Sequence, residues 1–283
     1  MSVTTSATLD DALVRQRRDA VLGERRWYPC RETEVFPLSA ERLVSAPGIV
    51  RDRVQAIGVA LFELSRALRA DEFVAVAAAL GQPEQETEPS LMDRVTNGVI
   101  LNLKPNSTGS PSEYNQPFTP RALTYHTEGS RRPLGTAPSY LLFQCVESPV
   151  MDRGGQTLIR SIDDTLASLS VAAATVLRGT VLCPESTNSP VIRDRGGRCT
   201  LNLRDPAPAE FRWRSSFGRN EVFRSLSELL RVVYDKGAAV GIPWCRNLLL
   251  VLDNHRWLHA RTEGHPDRRH LQRIRIRAAE GVA

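Results

Sequence analysis

Leu248-Leu249-Leu250-Val251-Leu252-Asp253-Asn254-His255-Arg256-Trp257-Leu258-His259 opens with five aliphatic residues and then breaks at Asp-Asn. A short apolar run closed by turn-forming residues is a buried strand ending in a turn. His259 follows directly, on a rigid place from which to present a side chain. Far upstream stands His126-Thr127-Glu128. In an extended segment residues two apart share a face, as two ligands of a single ion must. Two imidazoles and a carboxylate, with further coordination positions open, are the ligand set suited to non-haem Fe(II) and its oxygen chemistry.

By itself a His-x-Glu triplet is a weak signal, because such a pair also occurs as a surface ion pair. His255, His265 and His270 lie close to His259 and compete with it as the distal ligand, or sit in water. The rest of the chain bears on the choice.

At 283 residues the chain fits one large domain, or one with a modest appendage, and can bury a sizeable core. With 41% hydrophobic and 24% charged residues it has the composition of a soluble globular protein. Lys104 and Lys236 are the only lysines, so the net charge of +5 is carried by arginine. Those arginines are scattered, with no basic block and few aromatics for stacking, which argues against a nucleic-acid partner. Anionic small molecules account for them at least as well. Five widely separated cysteines without a C-x-x-C pair, Cys30, Cys145, Cys183, Cys199 and Cys245, argue against a disulfide framework and a zinc ribbon. The first twenty residues are charged and have no apolar core, so no signal peptide is expected. The aliphatic run at 248–252 is too short for a membrane span. A cytoplasmic protein without membrane partners is the expectation.

Residues 8–24 and 50–80 have helical periodicity, Val54, Ile57, Leu61, Leu64 and Leu68 recurring at intervals of three and four, continued by Phe73, Val76 and Leu80. Gly81-Gln82-Pro83 ends the segment as a helix ends. Residues 1–82 are therefore expected to be mostly helical. Beyond them the pattern changes to short strands: Val99–Leu103, Tyr140–Val146, Thr157–Arg160, Leu201–Arg204, Leu248–Leu252 and Leu271–Arg277. Helices are expected over Ser161–Leu177, opened by a Ser-Ile-Asp-Asp cap, and over Glu221–Lys236. Short strands with helices outside form a sandwich or barrel. Two long polar stretches, Lys104–Pro120 and Pro184–Asn220, have the character of lids or binding loops.

Leu252-Asp253-Asn254-His255-Arg256-Trp257-Leu258-His259-Ala260-Arg261-Thr262, with Arg269-His270-Leu271-Gln272-Arg273 after it and Gly154-Gly155-Gln156-Thr157 about thirty residues past His126, resembles the Fe(II)/2-oxoglutarate-dependent oxygenases of the taurine dioxygenase and clavaminate synthase superfamily. The likeness runs from about Tyr125 to Arg277. It implies an α+β chain with a mainly β core, a double-stranded β-helix (jelly-roll) with N-terminal and flanking helices. On that basis 1–283 is a single oxygenase domain, with its core over 95–278 and a loop insertion at about 184–220.

The resemblance makes His126, Glu128 and His259 the iron ligands. Arg273, fourteen residues past His259, matches the arginine that pairs with the distal carboxylate of 2-oxoglutarate, and Thr157 matches a threonine bonded to the same co-substrate. Arg277 matches an arginine that binds the carboxylate of an amino-acid-like substrate, with Asn115 and Gln116 as candidate polar contacts. Fe(II), 2-oxoglutarate and O2 are the implied cofactor and co-substrates. Hydroxylation of an amino acid or a derivative is the expected reaction, with desaturation, cyclisation or epoxidation as alternatives and a carrier-protein-bound substrate as a variant. A carboxylate at position 128 leaves no place for a halide. From a different class, a metal- or ligand-binding barrel without catalysis would keep the histidines and need neither Arg273 nor Thr157.

Elementary chemistry supports Arg273 independently, because a guanidinium meets a carboxylate through two parallel charge-assisted hydrogen bonds and lysine offers no such fork. Leu271, Arg273, Arg275 and Arg277 alternate with Gln272, Ile274 and Ile276. Such a strand puts its arginines in water and its isoleucines in the core, or its arginines in a cavity and its isoleucines against outer helices. Both readings stand for Arg275. Asp253 and Asn254 orient the ligand histidine or simply form the turn. Trp244 and Trp257 are expected in the core.

Overall fold

The computed structural model describes residues 3–278 except 27, 30–33, 105–117, 120, 149–153, 184, 207–209 and 265–268. Asn115 and Gln116 lie outside the described residues. In chain order the first half contains β1 (Val3–Ala7), α1 (Ala12–Leu22), β2 (Val35–Leu38), α2 (Ala40–Ser45), α3 (Gly48–Ile57), β3 (Val59–Leu64), α4 (Ala70–Leu80), β4 (Gln82–Pro83), β5 (Val95–Thr96), β6 (Ile100–Leu103), β7 (Leu123–His126) and β8 (Tyr140–Glu147). The second half contains β9 (Thr157–Ser161), α5 (Ile162–Ala167), α6 (Val171–Arg178), β10 (Thr180–Leu182), β11 (Ile192–Arg195), β12 (Arg198–Leu201), β13 (Phe211–Ser215), α7 (Arg219–Val233), β14 (Val240–Gly241), β15 (Leu248–Asp253), β16 (Trp257–Arg261) and β17 (His270–Arg277).

Two sheets build the centre. The large one runs β2-β3-β15-β8-β17-β6-β5, with β4 added on β17, and the small one runs β14-β9-β16-β7. Within the large sheet only β2 and β3 pair in parallel. Leu61, Leu141, Leu248, Leu250 and Leu252 of the large sheet share one apolar cluster with Ile159, Val240 and Trp257 of the small sheet and its margins. Ala60, Phe62, Leu249, Val251, Ile274 and Ile276 point the other way, into a cluster with Leu43, Val54, Phe73 and Val76 of α2, α3 and α4. The small sheet turns its outer face, Tyr125, Leu158 and Leu258, toward α1, α6 and α7. Strand β15 is thus apolar on both faces, which is why its sequence shows no alternation. Each leucine it buries stabilises the fold by about 1.5–3 kcal/mol.

Helix throughout 50–80 is corrected by β3. Helix α3 stops at Gly58, whose φ of 81° suits glycine, and Gly58 N–H closes on the Val54 carbonyl at 2.7 Å. Residues 59–64 then pair with β2 and β15. Leu61 and Leu64 satisfy a three-to-four rhythm by coincidence, since a strand buried on both faces has apolar residues at nearly every position. The front third therefore carries strands as well as helices. Ser161–Leu177 is also not one helix: it divides into α5 and α6, each with its own serine cap, Ser161 accepting from Asp164 N–H and Ser170 from Ala173 N–H. The expected strand over Leu201–Arg204 is instead β12, ending at Leu201. Nor is 184–220 wholly loop, for it contains the β11–β12 hairpin and β13. Gly196 and Gly197, both at positive φ, make the hairpin turn.

Trp244 and Trp257 are buried in the cluster between the sheets. Cys145, Cys199 and Cys245 are free, and Cys30 lies outside the described residues. Among the described residues no helix is long and apolar enough to cross a membrane.

Candidate metal centre

Antiparallel pairing of β7 with β16 sets His126 directly opposite His259. Directly opposed residues on one face bring their side chains together, and here the ring centroids are 4.1 Å apart. The turn at 254–256 after β15 sends the chain back as β16, so the aliphatic strand does present His259. Glu128 stands in the turn just past β7, with Oε2 3.8 Å from His259 Nε2. Ligand atoms of His126, Glu128 and His259 all fall within 4.8 Å of one another, and they form a group that could hold a metal ion.

The donor set fits a divalent metal. His126 Nδ1 donates to the Thr124 carbonyl at 2.8 Å, which fixes the tautomer and leaves the Nε2 lone pair for an ion. Burial, and next the charge of Arg204, pushes His126 down to about 4. Burial and then His126 hold His259 well below the ordinary histidine value. Both rings are therefore neutral near pH 7, as ligation requires. Burial alone would lift the Glu128 carboxyl, but Arg273 and then Arg275 keep it well below the usual carboxylate range. His259 Nδ1 is buried without a hydrogen-bond partner among the described residues.

Arg273 extends into the same space, 11% exposed, with Nη1 3.2 Å from the Glu128 carboxylate. Arg275 is also turned inward, its Nη2 2.5 Å from Glu86 and its Nη1 3.7 Å from Glu128. Ile274 and Ile276 pack against the outer helices, so the cavity-facing reading of the arginines holds for both residues. Arg277, at the end of the strand, is 53% exposed and 3.3 Å from Glu84. Arg273, Arg275, Thr157 and the three candidate ligands line a cavity of about 450 Å³, and Arg277 is not among its lining residues. The Thr157 hydroxyl accepts a hydrogen bond from Trp244 Nε1 at 2.9 Å. At Gly154, φ is 74° and a Cβ would lie 2.2 Å from the Glu263 carbonyl, so the Gly-Gly-Gln-Thr segment needs glycine there.

Three features differ from the sequence reading or go beyond it. Asn254 braces Glu128, not a histidine, whereas Asp253 only caps its own turn by accepting from His255 N–H. Glu84 and Glu86 meet the strand arginines, and their spacing of two mirrors Arg275 and Arg277, a signal available in principle. Arg131 and Arg204 reach the cavity from loops that carry no periodicity.

The model of the taurine catabolism dioxygenase TauD, TfdA family matches residues 29–275, and the chain belongs to that family. It is a non-haem Fe(II)- and 2-oxoglutarate-dependent dioxygenase. The non-catalytic barrel is thereby set aside. Among solved structures, PvcB from Pseudomonas aeruginosa is 18% identical, with a TM-score of 0.62 over 97% of this chain and 92% of that one. Asparagine oxygenase is 17% identical, with a TM-score of 0.62 over 96% and 92%. OrfP, bound to Fe, succinate and (3S)-hydroxy-L-Arg, is 15% identical, with a TM-score of 0.59 over 87% and 95%. These likenesses show a shared fold. No curated protein sequence matches the chain.

Proposed function

We propose that the protein hydroxylates an unactivated carbon of an amino acid or an amino-acid-derived small molecule, using a centre held by His126, Glu128 and His259. The two sheets are read as a double-stranded β-helix with this centre at one end. The observation that carries the proposal is the cross-strand pair His126–His259 with Glu128 beside it and the Arg273 guanidinium immediately behind. Iron, 2-oxoglutarate and O2 together supply an oxidation of the substrate carbon, with release of succinate and carbon dioxide.

The chain's own groups do the positioning. Neutral imidazoles and an ionised carboxylate, all three lining the cavity, would offer three lone pairs to a bound metal. Arg273 supplies the planar fork for the distal carboxylate of 2-oxoglutarate, and the Thr157 hydroxyl adds a further polar contact. Arg277, on the exposed end of β17, is proposed as a substrate contact that only an extended molecule would reach. The PvcB, asparagine oxygenase and OrfP likenesses support an amino-acid-like substrate. A cytoplasmic location is part of the reading, and a substrate held on a carrier protein is its variant.

Anaerobic addition of Fe(II) and 2-oxoglutarate tests the centre. A weak visible charge-transfer band is expected in the wild type and not in His259→Ala. No band, together with no succinate formed in air, would overturn the assignment.

A further inference from the structure

The main cavity is lined by seven arginines against three glutamates. Arg273 faces Glu128, Arg275 faces Glu86, and Arg132 reaches Glu84 at 2.6 Å. Arg261 donates to the carbonyls of Thr119 and Arg121, and Arg269 to that of Gly155. Arg131 and Arg204 are placed differently. With Ser130 they line both the main cavity and a neighbouring one of about 230 Å³, so they stand where the two meet.

Arg204 lies outside a regular strand but is held at its backbone on both sides. It pairs with His126 across an isolated antiparallel bridge, flanked by Thr127 N–H to the Leu203 carbonyl at 2.8 Å and Asp205 N–H to the Tyr125 carbonyl at 3.2 Å. Beneath it the buried Asp205 carboxylate accepts from Arg18 at 2.7 and 3.1 Å and from the Tyr234 hydroxyl at 2.6 Å. That same hydroxyl accepts from Tyr125 N–H at 3.3 Å. One buried network thus pins the strand carrying His126 and the segment carrying Arg204. An arginine whose backbone is held in this way presents its guanidinium to the cavities from a fixed anchor, and the planar fork suits an oxyanion.

We propose that Arg204, together with Arg131, determines substrate specificity by receiving an oxyanion on the substrate's side chain at the junction of the two cavities. The proposal rests on the amino-acid-like substrate inferred above and narrows it to acidic members. Their side-chain anion lies at the junction, and any longer extension enters the smaller cavity.

The test uses the intact protein loaded anaerobically with Fe(II) and 2-oxoglutarate. Three pairs are titrated, L-glutamate against L-glutamine, L-aspartate against L-asparagine, and O-phospho-L-serine against L-serine. Binding is read by the shift of the visible band and by calorimetry. In at least one pair the acid is expected to bind tenfold or more tightly than its neutral partner, the pair identifying the oxyanion. Arg204→Gln, or Arg131→Gln should the first variant fold poorly, is expected to bring that ratio near one. An absence of acid preference in all three pairs, including no response to any probe, overturns the proposal, as does an unchanged ratio in a folded variant. Failure of the band to form before any amino acid is added counts against the iron centre itself, and calorimetry still reports the preference.

Discussion

Asn254 clasps Glu128 across half the chain. Its amide oxygen accepts Glu128 N–H at 2.7 Å, and its Nδ2 donates to the carbonyls of Glu128 and Pro138, each at 2.9 Å. The turn that returns β15 into β16 therefore also holds the candidate carboxylate ligand. One residue couples the placement of His259 to that of Glu128.

Asn254→Ala removes all three hydrogen bonds without adding bulk, leaving buried backbone groups unpaired. Stability is expected to fall by about 1–3 kcal/mol, and metal affinity by about 10- to 100-fold. Urea denaturation and titration of the metal-free protein measure the two effects. Wild-type metal affinity in a folded variant would show that the clasp does not orient Glu128.

Arg273→Lys retains the charge and loses the fork. One charge-assisted hydrogen bond is worth about 1.5–3 kcal/mol, so the apparent KM for 2-oxoglutarate should rise by one to two orders of magnitude, with a smaller change in kcat. Steady-state kinetics against 2-oxoglutarate decide this, and unchanged co-substrate kinetics would remove the assignment.

Asp205→Asn leaves Arg18 buried without its counter-ion. Removing one partner of a buried ion pair costs about 3–5 kcal/mol, and a loss of that order is expected in denaturant unfolding. A variant as stable as the wild type would show that the network does not anchor this segment.

Glu72 supplies a pH dependence. Its side chain is 6% exposed and bonded to Arg66 at 2.8 and 3.0 Å and to Arg69 N–H at 2.8 Å. The Arg66 hydrogen bonds first, then the Arg69 amide, lower its pKa from 4.5 to about 2. A carboxyl depressed on folding stabilises above its unfolded pKa, and that contribution is lost as pH falls through the folded value. Thermal stability should therefore decline between pH 4.5 and 2, less steeply in Glu72→Gln. Melting curves across that window check it, and identical acid limbs in the two proteins would contradict it.

Local chemistry made much of this legible before any fold was known. The aliphatic run at 248–252, the Asp-Asn break and the glycine-proline stop after α4 each act over a few residues and left plain marks. The boundary at Gly58 did not, because β3 is made by pairing with β2 and β15, and its apolar residues fit two periodicities equally well. The placement of Arg275 was open for the same reason, since alternation shows two faces without saying which is wet.

The identities of His126, Glu128, His259 and Arg273 as a chemical set belong to the linear chain, because ligand type and charge are properties of single side chains. Their convergence belongs to the tertiary structure. Only antiparallel pairing of β7 with β16 sets two distant imidazoles opposite each other. Only the junction of two cavities gives Arg131 and Arg204 a common place, because proximity between remote residues is created by the packing of sheets and loops and leaves no periodic trace in sequence.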